Sequence, residues 1–390
     1  MLTANDPRTR EAATTLPVYG QLPFVPKSAS GCDIITTDDR HILDLYGGHA
    51  VAALGYGHSA LEQAICGQSK TLLFQSNAVA LDIRATAAEK LIEVAADNLQ
   101  RVFFVNSGAE ANENALRMAC VATGRNRILA IEHGFHGRTA AAAAVTWNSE
   151  SWYGFANKPF EVDFIKRDDC EAALQKIGDD VAAVILEPVQ GVAGAYDLAK
   201  DFLTCIREQT KKHGALLIAD EVQSGIGRCG QFFAMQAYNI EADIVSCAKA
   251  LGGGIPCGAV LCSDAVAKHF GPGDLGSTFG GGPIAAAAIV VVLNSIESDE
   301  LLANVRAREA QIRASCNAGP VKKIQGMGLL LGLVCDRPAS QVRDSLLQQD
   351  ILTGTSADPN VLRILAPLVL TSEHVARLAS ALADPAVFEQ

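Results

Sequence analysis

The sequence predicts an α/β protein: a mainly parallel sheet covered by helices, with a smaller α+β domain attached. Three observations predict it. Short apolar runs and helical patterns alternate from Arg101 to Ala248, which is how the βα units of a parallel sheet read. The run Leu216-Leu217-Ile218-Ala219 is apolar throughout and stops abruptly at Asp220-Glu221. That suits a strand buried on both faces, although periodicity alone also admits a buried helix segment. From about Gly282 the alternation gives way to a long helical region followed by strands. The expected division is an N-terminal segment over 1–50, a large domain over 51–281 and a small domain over 282–390, with the N-terminal segment joining the small domain.

Taken in order, Thr15 to Ser30 is irregular and Pro-containing, with Tyr19 in an extended stretch. Cys32 to Tyr46 reads as a hairpin, because Ile34-Ile35 and Ile42-Leu43 flank a polar turn. Gly47 to His58 is a loop, Ser59 to Thr71 an amphipathic helix with Ser59 as its N-cap, and helical spacing resumes over 82–96. Arg101 to Val105 is a strand candidate that leads through Asn106-Ser107-Gly108 into a helix over 114–123. A strand, a Ser-Gly turn and a helix start make an anion site, since free N–H groups and the helix dipole converge there. An ordinary connection with a serine cap reads the same way. Strands follow over 127–131, 160–165 and 181–186, with helices over 140–145, 169–177 and 201–213. Beyond the centre, a helical region over 283–315 leads to strands over 326–333 and 361–365 and a closing helix over 372–383.

Composition narrows the function. The formal net charge of −11 and the absence of a Lys/Arg cluster argue against sequence-independent nucleic-acid binding. The first residues lack the apolar core of a secretory signal. The longest apolar run, Ile284 to Leu293, is about half the ~20 residues that a membrane span needs. A cytoplasmic protein without membrane partners is expected. The 11 cysteines are scattered, form no Cys-x-x-Cys pair and are odd in number. They read as small buried hydrophobes in a reducing compartment, with no structural metal.

The chemistry centres on Asp220 and Lys249. Open α/β sheets bind ligands beyond the carboxyl ends of their strands, where Asp220 lies. Lys249 sits among small and apolar residues in Ser246-Cys247-Ala248-Lys249-Ala250-Leu251-Gly252. Burial favours its neutral, nucleophilic amine. Such an amine is what a Schiff base to an aldehyde cofactor requires, and pyridoxal phosphate also needs an acidic partner for its ring nitrogen. Two rival readings fail. An apolar run ending in Asp-Glu resembles the magnesium strand of a P-loop nucleotidase, but no G-x-x-x-x-G-K-[ST] loop exists. Gly225 to Gly230 satisfies G-x-G-x-x-G, yet five residues intervene after the strand and Arg228-Cys229 suit a pyrophosphate poorly. His133 and His136 lack the second cluster that a metal site needs.

Seven motifs in order then carry a specific resemblance: Asn106 to Glu113, Gly134-Phe135-His136-Gly137-Arg138-Thr139, Glu187-Pro188-Val189-Gln190-Gly191, Ala219 to Gly225, Ala248 to Gly254, Gly276-Ser277-Thr278-Phe279-Gly280-Gly281, and Val361 to Leu368. From Tyr19 to the final helix the chain resembles the class III (ω-amino-acid) pyridoxal-phosphate aminotransferases, of the acetylornithine and ornithine aminotransferase group. The resemblance implies fold type I and a homodimer with shared active sites. It implies that Lys249 carries the cofactor and shuttles a proton, while Asp220 keeps the ring nitrogen protonated. Gln223 would bond the phenolic oxygen, Val222 and Phe135 would flank the ring, and Glu187 would lie close by. Ser107, Gly108 and Ala109 would cradle the phosphate, and Thr278 would reach the phosphate of the other subunit.

For substrates, the resemblance places Arg138 and Tyr19 on an ornithine-like donor. It places Arg363 on the α-carboxylate of glutamate or 2-oxoglutarate, where a guanidinium can bind in bidentate fashion. One departure stands out. The glutamate that usually follows the Glu-Pro-Val-Gln-Gly motif, and pairs with the second arginine, is Val192 here. Either another carboxylate neutralises Arg363 or it stays available throughout. The expected activity is transfer of the terminal amine of N2-acetylornithine, or a close ω-amino acid, to 2-oxoglutarate in arginine biosynthesis. Alternatives are a 4-aminobutyrate, succinylornithine or carrier-linked lysine-precursor aminotransferase, or a pyridoxal-phosphate aminomutase.

Overall fold

In the computed structural model, which describes residues 5–388, the apolar runs assemble into one seven-stranded sheet. Its order is Arg101–Val105, Gly258–Cys262, Ile244–Cys247, Leu216–Asp220, Val181–Leu186, Arg127–Ile131, Glu161–Ile165. Leu216–Asp220 lies at the centre, in parallel register with Val181–Leu186 on one side and Ile244–Cys247 on the other. All six residues of Val181–Leu186 are buried, as expected of a strand covered by helices on both faces. The mainly parallel sheet is as the sequence predicts. The exception is Gly258–Cys262, antiparallel to both its neighbours and not anticipated, because its short apolar run follows a glycine-rich turn with no helix between.

Several boundaries differ from expectation for identifiable reasons. The helix expected from Asn114 starts at Gly108 and runs to Thr123. Ser107 caps it, accepting from the Glu110 N–H at 3.2 Å, and Glu110 reaches back to the Asn106 N–H at 2.9 Å. This is the S-x-x-E spacing of a capping box put to closely related use. Ser59 is the first helical residue rather than the cap; extended His58 precedes it, without a side-chain cap bond. The helical region expected over 283–315 consists of two helices, Pro283–Ser298 and Leu301–Ser315, since Glu300 adopts φ 52° and breaks the ladder. The strand expected over 326–333 is a hairpin of Val321–Met327 and Leu330–Cys335. Its turn holds Gly328 at φ 60°, where a Cβ would meet the Arg228 carbonyl oxygen. Helices Pro7–Thr14 and Ala339–Gln348 were not foreseen.

The hairpin strands Asp33–Thr36 and His41–Asp44 form as expected, and His41–Asp44 pairs in parallel with Ile351–Leu352. A third sheet joins the Val321–Met327 hairpin to Val361–Ile364 and Gly354–Thr355. The chain's two ends are therefore stitched together beside the central sheet. All 11 cysteines are free, most of them buried and Cys66 exposed. Among the described residues no helix is long and apolar enough to cross a membrane.

Candidate active site

Beyond the carboxyl end of the central strand lies a cavity of about 540 Å³. It gathers residues from five of the seven motifs or their flanks, among them Ser107, Gly108, Ala109, Phe135, Arg138, Glu187, Val192, Asp220, Val222, Gln223 and Lys249, with Tyr19 at its edge. Two expected residues do not line it. Arg363 is 4% exposed behind Gly191. Thr278 stands exposed on a neighbouring loop, whose Ser277 bonds Asn106 at 3.2 Å.

Asp220 is buried at the strand end and held on both oxygens. Oδ2 accepts from His136 Nδ1 and from Asn112 Nδ2, each at 2.7 Å, and Oδ1 accepts from the Val222 N–H at 3.0 Å. Asn112 is fixed in turn by Ser246, which donates to its Oδ1 at 2.5 Å. His136 and Asn112 are functional residues that the sequence left without a role. The signal was there, since both lie inside the quoted motifs. These three donors fix the orientation of the Asp220 carboxylate at the cavity wall. The adjacent Glu221 faces away: it accepts from Ser224 and from the Ala234 and Met235 N–H groups, and so anchors the following chain.

Lys249 opens a short 3₁₀ turn with φ 44°, a region that a residue with a Cβ seldom occupies. Burial pulls its amine below the usual lysine range. The charges of Asp220 and Glu187 oppose that shift, while Arg363 and Arg228 reinforce it. Burial pushes the Glu187 carboxyl up, against the influence of His136. Glu187 accepts from the Phe135 N–H at 2.8 Å and from the Gly191 N–H at 3.3 Å, and so ties two loops together at the cavity wall.

Three observations test whether pyridoxal phosphate fits. Gln223 is 6% exposed and, among the described residues, neither Nε2 nor Oε1 has a partner; a buried unpaired amide costs about 1–3 kcal/mol per group and so points to a bound ligand. The 16-residue helix from Gly108 presents its first turn to the same cavity, where N–H groups without intrahelical acceptors suit a phosphate. Lys249 and Asp220 share the cavity, one nucleophilic and one anionic. The residues fit the group.

The arginines are held differently. Arg138 is exposed and lies over the Trp152 ring, 4.4 Å from its centroid. Arg363 donates to the carbonyl oxygens of Thr355 at 2.7 Å and Gly191 at 3.3 Å, and to Tyr46 Oη at 3.2 Å. Among the described residues no carboxylate pairs with it, so the position filled by Val192 has no substitute anion.

The sheet order and this set of side chains define a transferase of fold type I. The comparisons with known proteins then give its family. The model of the family "Aminotransferase class-III" matches residues 16–385. The acetylornithine aminotransferase of Corynebacterium efficiens is 39% identical, the match covering 98% of this chain and 97% of that one. The acetylornithine aminotransferase of Methanopyrus kandleri is 38% identical over 94% and 95% of the two chains. Among solved structures, the N-acetylornithine aminotransferase of Stenotrophomonas maltophilia superposes with a TM-score of 0.80 at 31% identity, covering 93% of this chain and 95% of that one. The ornithine aminotransferase of Toxoplasma gondii does so with a TM-score of 0.89 at 26% identity, covering 96% and 92%. The chain belongs to the class III aminotransferases.

Proposed function

We propose that this aminotransferase holds pyridoxal 5'-phosphate in the cavity and moves the terminal amine of N2-acetylornithine, or a close ω-amino acid, to 2-oxoglutarate in arginine biosynthesis. The observation that carries the cofactor assignment is the buried, unpartnered Gln223 amide beside Lys249 and Asp220. The full-length similarity to acetylornithine aminotransferases supports the donor.

When bound, the cofactor supplies an aldehyde that captures amines and a ring that withdraws electrons from the reacting carbon. The chain's own residues do the rest. Lys249 would hold the cofactor through its amine and would take a proton from the reacting carbon and return one, work suited to an amine that burial pulls below the usual lysine range. Asp220, fixed by His136 and Asn112, stabilises a proton on the ring nitrogen. Phe135 and Val222 would flank the ring, Gln223 would donate to its phenolic oxygen, and Glu187, which ties the Phe135 and Gly191 loops together, would lie close by. Ser107, Gly108 and Ala109 bind the phosphate. Arg138 and Tyr19 take the donor's carboxylate end, and Arg363 takes the α-carboxylate of glutamate or 2-oxoglutarate.

We also propose a cytoplasmic homodimer in which Thr278 reaches the phosphate site of a second copy. Its exposure outside its own chain's cavity supports this, as does the exposed pair Phe279 and Phe74, their rings tilted at 51° with centroids 5.2 Å apart. The boundaries 1–50, 51–281 and 282–390 serve as the proposed domain division.

The test is a half-reaction screen of amine donors followed by the cofactor spectrum. N2-acetylornithine should discharge the yellow colour faster than 4-aminobutyrate, succinylornithine or a carrier-linked lysine precursor. A faster response to any of these would replace the donor, and turnover without an added keto acid would favour an aminomutase.

A further inference from the structure

Among the described residues, the hydrogen bonds of buried Arg363 all go to neutral oxygens: two carbonyls and the Tyr46 hydroxyl. Burying a guanidinium without an anion is costly unless its donors are well satisfied, so whatever aims those oxygens decides where the charge points. Tyr46 is built into place from three sides. Its own N–H and that of Gly47 both donate to Asp44 Oδ1, at 2.7 and 2.9 Å. Its ring fills the space left by Gly354, where a Cβ would lie 2.0 Å from the Tyr46 ring. Gly354 is the ladder partner of Arg363 itself. The Tyr46 hydroxyl, finally, meets His49 Nδ1 at 2.6 Å, with the two rings edge to face at 84°.

The direction of these bonds follows from donor counting. A guanidinium only donates, so the Tyr46 oxygen accepts from Arg363 and its single proton goes to His49 Nδ1. That arrangement requires a neutral imidazole. Burial and the nearby charges of Lys249 and Arg363 hold His49 well below the usual histidine range, which agrees.

We propose that Tyr46, aimed by His49, is the positioning residue that holds Arg363 as a standing carboxylate clamp, with no protein anion to be released before a dicarboxylate binds. This rests on the reading that Arg363 takes the α-carboxylate of the keto-acid partner. It makes Tyr46, together with the absent side chain at Gly354, a determinant of affinity for substrates that carry a carboxylate on the reacting carbon.

The experiment is calorimetric binding to the holoenzyme, with steady-state kinetics alongside. The ligands are 2-oxoglutarate and succinic semialdehyde, which keeps the distal carboxylate but lacks the one on the reacting carbon. Tyr46→Phe keeps the ring against Gly354 and removes only the hydroxyl. It should weaken 2-oxoglutarate binding and raise its KM by about tenfold, the effect of one hydrogen bond to a charged group. Its kcat should change less than threefold and succinic semialdehyde binding should not change. His49→Gln, which retains an acceptor, should keep more 2-oxoglutarate affinity than His49→Ala. If Tyr46→Phe does not fold, His49→Ala carries the same test. Unchanged 2-oxoglutarate binding in Tyr46→Phe, or equal losses for both ligands, would overturn the positioning role. Arg363→Ala separates the two layers. If it leaves 2-oxoglutarate binding intact, the clamp reading itself fails and the role of Tyr46 falls with it.

Discussion

Gly191→Ala tests the cofactor site through a residue that never touches the reacting atoms. A Cβ on residue 191 would lie 1.8 Å from Gln223 Oε1, 2.8 Å from Cδ and 3.3 Å from Cγ. The backbone has little freedom to yield, because the Gly191 N–H donates to Glu187 and its carbonyl oxygen accepts from Arg363. The Gln223 side chain must therefore swing out of the position from which it would meet the phenolic oxygen. Losing a hydrogen bond to a charged acceptor costs about 1.5–3 kcal/mol, or roughly 10- to 150-fold in cofactor affinity at about 1.4 kcal/mol per factor of ten. The assay is a titration of apoenzyme with pyridoxal phosphate, repeated for Gln223→Ala and for the double variant. If Gly191 acts through Gln223, the double variant binds about as weakly as Gln223→Ala alone, because the two changes remove one interaction. Wild-type affinity in Gly191→Ala, or additive losses in the double variant, would refute the reasoning.

The remaining predictions address the other residues. Lys249→Ala should leave no colour that borohydride can fix to the protein and should lower transamination by at least the roughly 10²- to 10⁴-fold typical of a lost acid–base group; a covalently fixed cofactor in this variant would remove the lysine assignment. The rate of covalent cofactor uptake by apoenzyme should rise with pH through a midpoint below 10.5, the ordinary lysine value, as the neutral amine forms. Because the charge of Glu187 raises the lysine's pKa, Glu187→Gln should move that limb to lower pH, and a shift upward would contradict the electrostatic account. Arg138→Ala should raise the donor's KM by about tenfold or more, as expected for a lost charge-assisted bond, and leave the KM for 2-oxoglutarate unchanged. Val192→Glu puts a carboxylate next to the carbonyl that Arg363 holds. It should raise the KM for 2-oxoglutarate by competing for the clamp, and an unchanged KM would show that the two side chains do not meet.

Much of the molecule was legible because its signals are local. A strand that is apolar to Ala219 and stops at Asp220 encodes its own burial and the place where it opens. The Val181–Leu186 strand and the closing Ser372–Ala383 helix also fall where the pattern puts them. Errors came where one residue's backbone overrode a run of favourable neighbours. Glu300 at φ 52° divides a helix, and Gly328 turns an expected strand into a hairpin. Apolar periodicity does not register a single left-handed residue.

The sequence alone singled out the side chains proposed to carry the chemistry: a lysine among small residues, a carboxylate at a strand end, and two arginines in fixed motifs. Only the tertiary structure decided what those groups feel. His136 and Asn112 reach Asp220 across 84 and 108 residues of chain, and Tyr46 reaches Arg363 across 317. Such meetings depend on sheet register and on how the two ends of the chain pair, through His41–Asp44 and Ile351–Leu352. Local patterns fix which face of an element is apolar, but the free energy that selects a neighbour comes from packing between elements. That is why Val192 could announce a missing anion, while the neutral oxygens around Arg363 became visible only once the sheets were assembled.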